Sequence, residues 1–183
     1  MVVVIAAVGI SGSGKTTTLE YLISKLTIDG YRVGAIKHIH REGFTIDKEG
    51  SNTWRFSKAG SRITVAMSPQ EIAIIKKTGA PLEELDNIVK LLKDERLTVI
   101  FIEGFHDFIS KRPDILKIVT AKNQEDLSKT LEKTVPPILA ITGLIAKSKP
   151  LASAIPFLDL PDEGAKLLEI VKKTFKTEPK INY

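Results

Sequence analysis

Short, mostly apolar runs alternate along the chain with segments whose apolar residues recur at helical spacing. Runs that are apolar at nearly every position are typical of strands covered on both faces, as in parallel sheets. Strands are predicted on this basis at Val2–Val8, Tyr31–Ile36, Leu97–Ile102, Ile115–Thr120 and Ile138–Ile141. The pattern therefore predicts an α/β fold, with a mainly parallel β-sheet and helices on both of its faces.

The segments between these strands contain helices and one hairpin. Apolar spacing and turn residues predict helices at Lys15–Leu26, at Thr53–Ala59, from Pro81 onward and at Asp162–Phe175. Two short apolar runs, Ile63–Met67 and Ile72–Ile75, flank Ser68 and Pro69 and are expected to pair as a hairpin. The polar stretch 41–51 is expected to be a loop.

Length and composition set the broad class. The 183 residues, 43% of them hydrophobic, are expected to form a single domain over 1–176 with a C-terminal tail at 177–183. No apolar run reaches the roughly 18 residues of a membrane helix, so no membrane association is expected. The first apolar run has no basic residues before it and leads directly into glycines, which favours a strand over a signal peptide.

Charge and cysteine content exclude further classes. The net charge is +5, but the lysines are dispersed and aromatic residues make up only 6%, so nucleic-acid binding is not expected. The chain has no cysteine, which excludes disulfides and thiolate chemistry and suits a cytoplasmic protein.

The first strand is followed by the sequence Gly9-Ile10-Ser11-Gly12-Ser13-Gly14-Lys15-Thr16, which fits G-x-x-x-x-G-K-[ST]. Glycines let the backbone turn its N–H groups toward a phosphate, and the following helix N-terminus favours negative charge. Lys15 would then lie near the β- and γ-phosphates, Thr16 would offer a hydroxyl to Mg²⁺, and Thr17 would reach the α-phosphate side. This loop makes the predicted fold P-loop NTPase-like.

Two carboxylates are candidates for the Mg²⁺ site. Glu103 ends an apolar strand, at the sheet edge where ligands bind in such folds. Asp47 lies in the loop after the second strand, where Lys37 could balance phosphate charge. The same loop region contains His38 and His40, for which ligand contact is a more natural expectation than a metal site, since a closed zinc site needs about four ligands. His106 is expected near the same cleft.

Recognition of the base is left open by the sequence. Guanine-binding P-loop proteins often carry N-K-x-D after a late strand, but here that strand ends Ala140-Ile141-Thr142-Gly143. No aspartate stands where guanine would be read, so backbone atoms are an alternative, and guanine and adenine both stay possible.

Together these motifs resemble the molybdopterin-guanine dinucleotide biosynthesis adaptor family, MobB. The resemblance rests on the phosphate loop with its three threonines at 9–18, A-I-K-H-I-H at 35–40, I-D-K-E-G-S-N-T-W-R-F-S-K-A-G-S at 46–61 and I-E-G-F at 102–105. It implies a homodimeric, GTP-binding protein that assists the guanylyltransferase joining GMP to molybdopterin, with at most slow GTPase activity. It also implies that Gly12, Ser13, Gly14, Lys15, Thr16 and Thr17 hold phosphates, that Asp47 and Glu103 surround Mg²⁺, and that His38 and His40 line the loop after the second strand.

Two other functions are compatible with a phosphate loop. A small-molecule kinase using ATP commonly has an arginine-rich lid, whereas the segment Ser110-Lys111-Arg112-Pro113 has one arginine. A nickel-delivering maturation GTPase usually binds its metal through cysteine and histidine, and cysteine is absent here. No glutamine or arginine is obviously placed to activate water, which fits slow hydrolysis.

Overall fold

The computed structural model describes residues 2–41, 43–77, 85–148 and 153–175. The chain divides into two compact units, the larger formed by 1–38 and 85–183 and the smaller by 39–84. The expectation of one domain over 1–176 stays a prediction, and the tail at 177–183 lies outside the described residues.

Seven strands and six α-helices are described. The strands are β1 Val3–Val8, β2 Val33–Lys37, β3 Ile63–Met67, β4 Ile72–Lys76, β5 Val99–Glu103, β6 Leu116–Thr120 and β7 Ile138–Thr142. The helices are α1 Lys15–Ile28, α2 Asn52–Lys58, α3 Leu85–Leu91, α4 His106–Ile109, α5 Gln124–Glu132 and α6 Gly164–Lys172.

The larger unit is built on a five-stranded parallel sheet in the order β2-β5-β1-β6-β7. Side chains of the central strand β1 alternate between its faces. Ile5 and Ala7 pack with buried leucines of α1 and α6, such as Leu22 and Leu167. Ala6 and Val8 pack instead with buried residues of α3, α4 and α5, which include Leu85, Ile109 and Leu127. The predicted parallel sheet with helices on both faces is confirmed.

All five parallel strands end at the same edge of the sheet. The chain leaves β1 at Gly9, β5 at Gly104, β6 at Ala121 and β7 at Gly143. In open α/β sheets this carboxyl edge is where ligands bind. The topology therefore gathers four loops that are far apart in sequence.

The smaller unit contains α2 and the antiparallel hairpin of β3 and β4, which confirms the hairpin expected around Ser68 and Pro69. Ser51 caps α2, since its Oγ accepts a 3.1 Å hydrogen bond from the Trp54 N–H. One hairpin face meets α2 through buried Thr64, whose hydroxyl lies 3.3 Å from that of Ser57. The other face is solvent-exposed and bears the apolar residues Ile63, Val65, Met67, Ile72 and Ile74.

Some elements differ from the sequence prediction. Strand β2 begins at Val33 rather than Tyr31, and the last helix spans Gly164–Lys172 rather than 162–175. Helices α4 and α5 were not predicted, and the start expected for α3 at Pro81 lies outside the described residues. None of the described helices combines the length and the apolar character needed to cross a bilayer.

Candidate nucleotide-binding site

The loop between β1 and α1 is anchored from below by a buried serine. The Ser13 hydroxyl lies 2.6 Å from the Thr120 hydroxyl at the end of β6. It also donates a 2.8 Å hydrogen bond to the Ile10 carbonyl oxygen. Ser13 is only 3% exposed, so its side chain stabilises the conformation of the loop that is expected to bind phosphate. The neighbouring Ser11 and Thr17 are exposed.

Lys15 folds back over this loop. Its Nζ donates hydrogen bonds to the carbonyl oxygens of Gly9, at 2.9 Å, and of Ile10, at 2.6 Å. Burial lowers the pKa of Lys15, the charges of Lys37 and Lys122 act in the same direction, and Glu103 opposes them. Both carbonyl oxygens that Lys15 contacts are neutral. A phosphate at this position would give the ammonium group a negatively charged partner.

Thr16 and Lys37 both contact Glu103. The Thr16 hydroxyl donates a 2.9 Å hydrogen bond to Glu103 Oε2, and Lys37 forms an ion pair with Oε1. Burial raises the pKa of Glu103, but the hydrogen bonds from Lys37 and Thr16 outweigh it and the net pKa is lowered. A hydroxyl beside an ionised carboxylate is a suitable oxygen donor set for Mg²⁺. Within the described residues no three His, Asp or Glu side chains form a metal site, and nucleotide-bound Mg²⁺ usually completes its ligands with phosphate and water.

The two motif segments that follow β2 and β5 lie side by side. Lys37 and Glu103 are register partners, and the His38 N–H donates a 2.8 Å hydrogen bond to the Glu103 carbonyl oxygen. The His38 ring stacks on Phe105 with ring centroids 4.1 Å apart. A side chain at Gly104 would put its Cβ 2.6 Å from His38 Cβ, so this close packing requires glycine. His38 is therefore part of the sheet edge beside the phosphate loop.

His106 and Lys122 lie near the loop, and their charge states would affect the binding of an anion there. Burial is the main cause of the lowered pKa of His106, Asp107 opposes it, and the Lys15 ammonium lowers it further. Its buried Nδ1 has no hydrogen-bond partner in the described part of the chain. Lys122 follows β6, and its Cε lies 3.6 Å from the position of a Cβ added to Gly12. Sequence reasoning missed Lys122, although its place two residues after a buried strand was a usable signal.

A pocket of about 340 Å³ lies beside the first turn of α1. Its lining comes from the phosphate loop and α1, from the segment after β7 and from the segment before α6: Gly12, Ser13, Gly14, Thr17, Thr18, Gly143, Leu144, Lys147, Asp159 and Leu160. The Thr18 and Thr142 hydroxyls lie 3.0 Å apart and join α1 to β7. Sequence reasoning did not single out Asp159, because no motif marks it.

Asp47 and His40 belong to the smaller unit. Asp47 Oδ1 accepts hydrogen bonds from the hydroxyls of Ser51, at 3.0 Å, and Thr53, at 2.8 Å. Its Oδ2 is buried and has no hydrogen-bond partner among residues that the structure describes. The roles predicted for these two residues in nucleotide and Mg²⁺ binding stay predictions.

Comparisons with known proteins agree with these observations. The family model described as molybdopterin guanine dinucleotide synthesis protein B, MobB, matches residues 4–142. A molybdopterin-guanine dinucleotide biosynthesis adapter protein of Haemophilus influenzae is 34% identical over 133 residues, which are 73% of this chain and 70% of that protein. The adapter protein of Escherichia coli is 35% identical over 120 residues, and the match spans 65% of either chain, just under two thirds of that relative.

The similarity extends to three-dimensional structure. The crystal structure of Bacillus subtilis MobB superposes with a TM-score of 0.73 and 25% identity, over 96% of this chain and 99% of that one. The family model matches well over half of the 183 residues, and it includes the phosphate loop and the Glu103 strand. On these grounds, the chain belongs to the molybdopterin guanine dinucleotide synthesis protein B (MobB) family.

Proposed function

We propose that this protein is a GTP-binding adapter in molybdopterin-guanine dinucleotide biosynthesis, where it assists the guanylyltransferase that attaches GMP to molybdopterin. Support comes from the family match over residues 4–142 and from relatives named as adapter proteins of this pathway. The nucleotide is bound together with Mg²⁺ at the carboxyl edge of the parallel sheet.

The observation that carries the nucleotide part of the proposal is the arrangement of Lys15, Thr16 and Glu103. An ammonium group lies on a glycine-rich loop, and one residue further a hydroxyl contacts a carboxylate from the neighbouring strand. This arrangement supports the proposal, because Mg²⁺-nucleotide binding requires a cation for phosphate beside oxygen ligands for the metal ion. Lys37 and Lys122 add positive charge around the same loop.

A homodimer is a further part of the proposal. The exposed face of the β3–β4 hairpin carries five apolar side chains that are each more than half exposed. A two-stranded hairpin is marginally stable on its own, and exposed apolar faces of this kind usually serve as interaction surfaces. A second copy of this chain is the occupant that the family resemblance implies.

GTP hydrolysis is proposed to be slow. The lysines assigned to this site would bind phosphate, and the assigned carboxylate would bind Mg²⁺. None of these residues is proposed to activate the attacking water. Such a protein would bind nucleotide as a stable ligand, with turnover set by a partner.

Calorimetric titration with GTP and ATP, each with Mg²⁺, tests the nucleotide claim, and a pull-down with the guanylyltransferase tests the adapter claim. The expected result is preference for GTP and co-purification that is stronger with nucleotide. Lys15→Ala is the comparison variant in both assays because it removes the ammonium group that lies on the phosphate loop. Preference for ATP, or no association with the guanylyltransferase, would contradict the proposal.

A further inference from the structure

The pocket beside α1 has the position expected for the nucleoside part of a bound nucleotide. Gly12, Ser13 and Gly14 of the phosphate loop form one wall, and Thr17 and Thr18 of the first helical turn continue it. A molecule whose phosphates lie on the loop would therefore extend its remaining part into this space. The volume of about 340 Å³ is within the usual range for ligand pockets.

The lining of the pocket combines apolar surface with two opposite charges. Leu144 and Leu160 supply apolar contact area, while Lys147 and Asp159 contribute an ammonium and a carboxylate group. Neither charged side chain has a hydrogen bond or ion pair within the part of the chain that the structure describes, apart from contacts of the Asp159 backbone. Both groups are thus available to a ligand in the pocket.

The hydrogen-bonding edges of the two purines have opposite polarity. Guanine presents an acceptor at O6 next to donors at N1 and at the 2-amino group. Adenine presents a donor at N6 next to an acceptor at N1. A carboxylate accepts only, and an ammonium donates only. A pocket lined by both Lys147 and Asp159 therefore complements guanine, whereas adenine N1 and a carboxylate are both acceptors and have no hydrogen to share.

We infer that this pocket is the base site and that Asp159 selects guanine by accepting from its N1–H and 2-amino groups, with Lys147 as the donor for O6. The inference rests on the proposed function, since it assumes a nucleotide whose phosphates occupy the loop at 9–16. It assigns base recognition to a carboxylate that lies 17 positions beyond Thr142, where β7 ends. This explains how the chain can read guanine without N-K-x-D.

The test compares nucleotides that differ only in the base, by calorimetry in the presence of Mg²⁺. Wild-type protein should bind GTP at least about tenfold more tightly than inosine triphosphate, which lacks the 2-amino group, since the carboxylate would lose one partner. Asp159→Asn should weaken GTP by at least about tenfold and improve xanthosine triphosphate by a similar factor, because an amide can donate to the xanthine 2-oxo group. Asp162→Asn, an exposed carboxylate nearby that is not part of the pocket, is the matched control.

Each outcome has a distinct meaning. Equal affinity of wild-type protein for GTP and inosine triphosphate overturns the inference and needs no variant, so a poorly folded Asp159→Asn would not hide the answer. An unchanged preference in a folded Asp159→Asn also overturns it, while the proposed function stands. If wild-type protein binds no purine nucleoside triphosphate, the proposed function falls together with the inference.

Discussion

Lys15 Nζ lies 2.9 Å from the carbonyl oxygen of Gly9, so the lysine is held against its own loop. Its ammonium group donates hydrogen bonds to two backbone oxygens of the loop, and the buried side chains of α1 that support the fold, such as Leu19 and Leu22, are elsewhere on the helix. A substitution of Lys15 should therefore remove the positive charge from the loop without destabilising the fold.

The first prediction is that Lys15→Ala abolishes nucleotide binding without unfolding the protein. Loss of a charged partner for phosphate should weaken GTP by about a hundredfold or more. Calorimetry measures the affinity, and the melting temperature checks the fold. Lys25→Ala, in the last turn of the same helix, is the control and should bind GTP normally. Unchanged affinity in Lys15→Ala would contradict the site assignment.

The second prediction concerns Mg²⁺. Glu103→Gln should reduce the enhancement of GTP binding by Mg²⁺ about tenfold, because the site loses a hard anionic ligand. Without Mg²⁺ the variant should bind GTP as well as wild type or better, since a negative charge near the phosphates is removed. Affinity measured across a Mg²⁺ titration distinguishes the two effects. Glu132→Gln, an exposed carboxylate on α5, should leave both curves unchanged.

The third prediction is a pH dependence of stability due to Glu103. Burial raises the pKa of Glu103, but the hydrogen bonds from Lys37 and Thr16 outweigh burial, and its pKa in the folded protein is lowered. The folded state therefore binds this proton less readily than the unfolded state does. The resulting stabilisation is fully present above the unfolded pKa, near the ordinary glutamate value of 4.5, and is lost as the pH falls through the folded value.

Urea unfolding at several pH values measures this effect. The difference in free energy of unfolding between wild type and Glu103→Gln should shrink as the pH falls from neutral to below about 4. A difference that stays constant over that range would show that folding does not lower the pKa of Glu103. Glu132→Gln serves again as the control.

The fourth prediction concerns Gly143, which follows β7. Its φ is +90°, and a Cβ added there would lie 2.5 Å from the Ser13 carbonyl oxygen and 2.6 Å from that of Ala121. Gly143→Ala should lower the free energy of unfolding by about 3 kcal/mol, from overpacking and an unfavourable backbone conformation. Gly30→Ala shares a positive φ of +83° but meets no atom within 4 Å, so only about 1 kcal/mol is expected. Equal losses in the two variants would contradict a special role for the packing at Gly143.

The fifth prediction concerns the exposed face of the hairpin. Val65→Asp places a charge among apolar neighbours that include Met67 and Ile74, and should convert the proposed dimer to monomers while leaving GTP binding unchanged. Analytical ultracentrifugation measures the assembly state. Ile28→Asp introduces the same charge at an exposed apolar residue of α1 and is the control. A dimer that survives Val65→Asp would exclude this face as the contact surface.

Sequence patterns predicted most of the fold because the relevant signals are local. The continuous apolar runs at β1 and β5 and the turn residues Ser68 and Pro69 need only neighbouring positions to be recognised. Helix α5 escaped prediction because Leu127 and Thr130 are its only fully buried residues, which is too weak a pattern in nine residues. Its cap, an Asn123 side chain that accepts from the Asp126 N–H at 2.9 Å, became visible only in the structure.

The site was predicted only in part, for a different reason. Lys15, Thr16 and Glu103 carry motif signals, but the contacts between them depend on strand pairing between β1 and β5. Lys122, Lys147 and Asp159 lie near the loop only because parallel strands deliver their loops to one edge. These three residues are candidates because of their place in the fold, and no sequence motif identifies them.

The contact of Gly143 with Ser13 also affects how this protein could change over evolutionary time. A Cβ added to Gly143 would lie 2.5 Å from the Ser13 carbonyl oxygen, so the segment after β7 and the phosphate loop approach each other closely and should tolerate little variation there. On the proposed assignment, this close approach would fix the spacing between the two ends of a bound nucleotide. Under the inferred assignment, the base would instead be recognised by the side chains of Asp159 and Lys147. Descendants of such a protein could exchange one purine for another through one or two surface substitutions, while their grip on the triphosphate stayed intact.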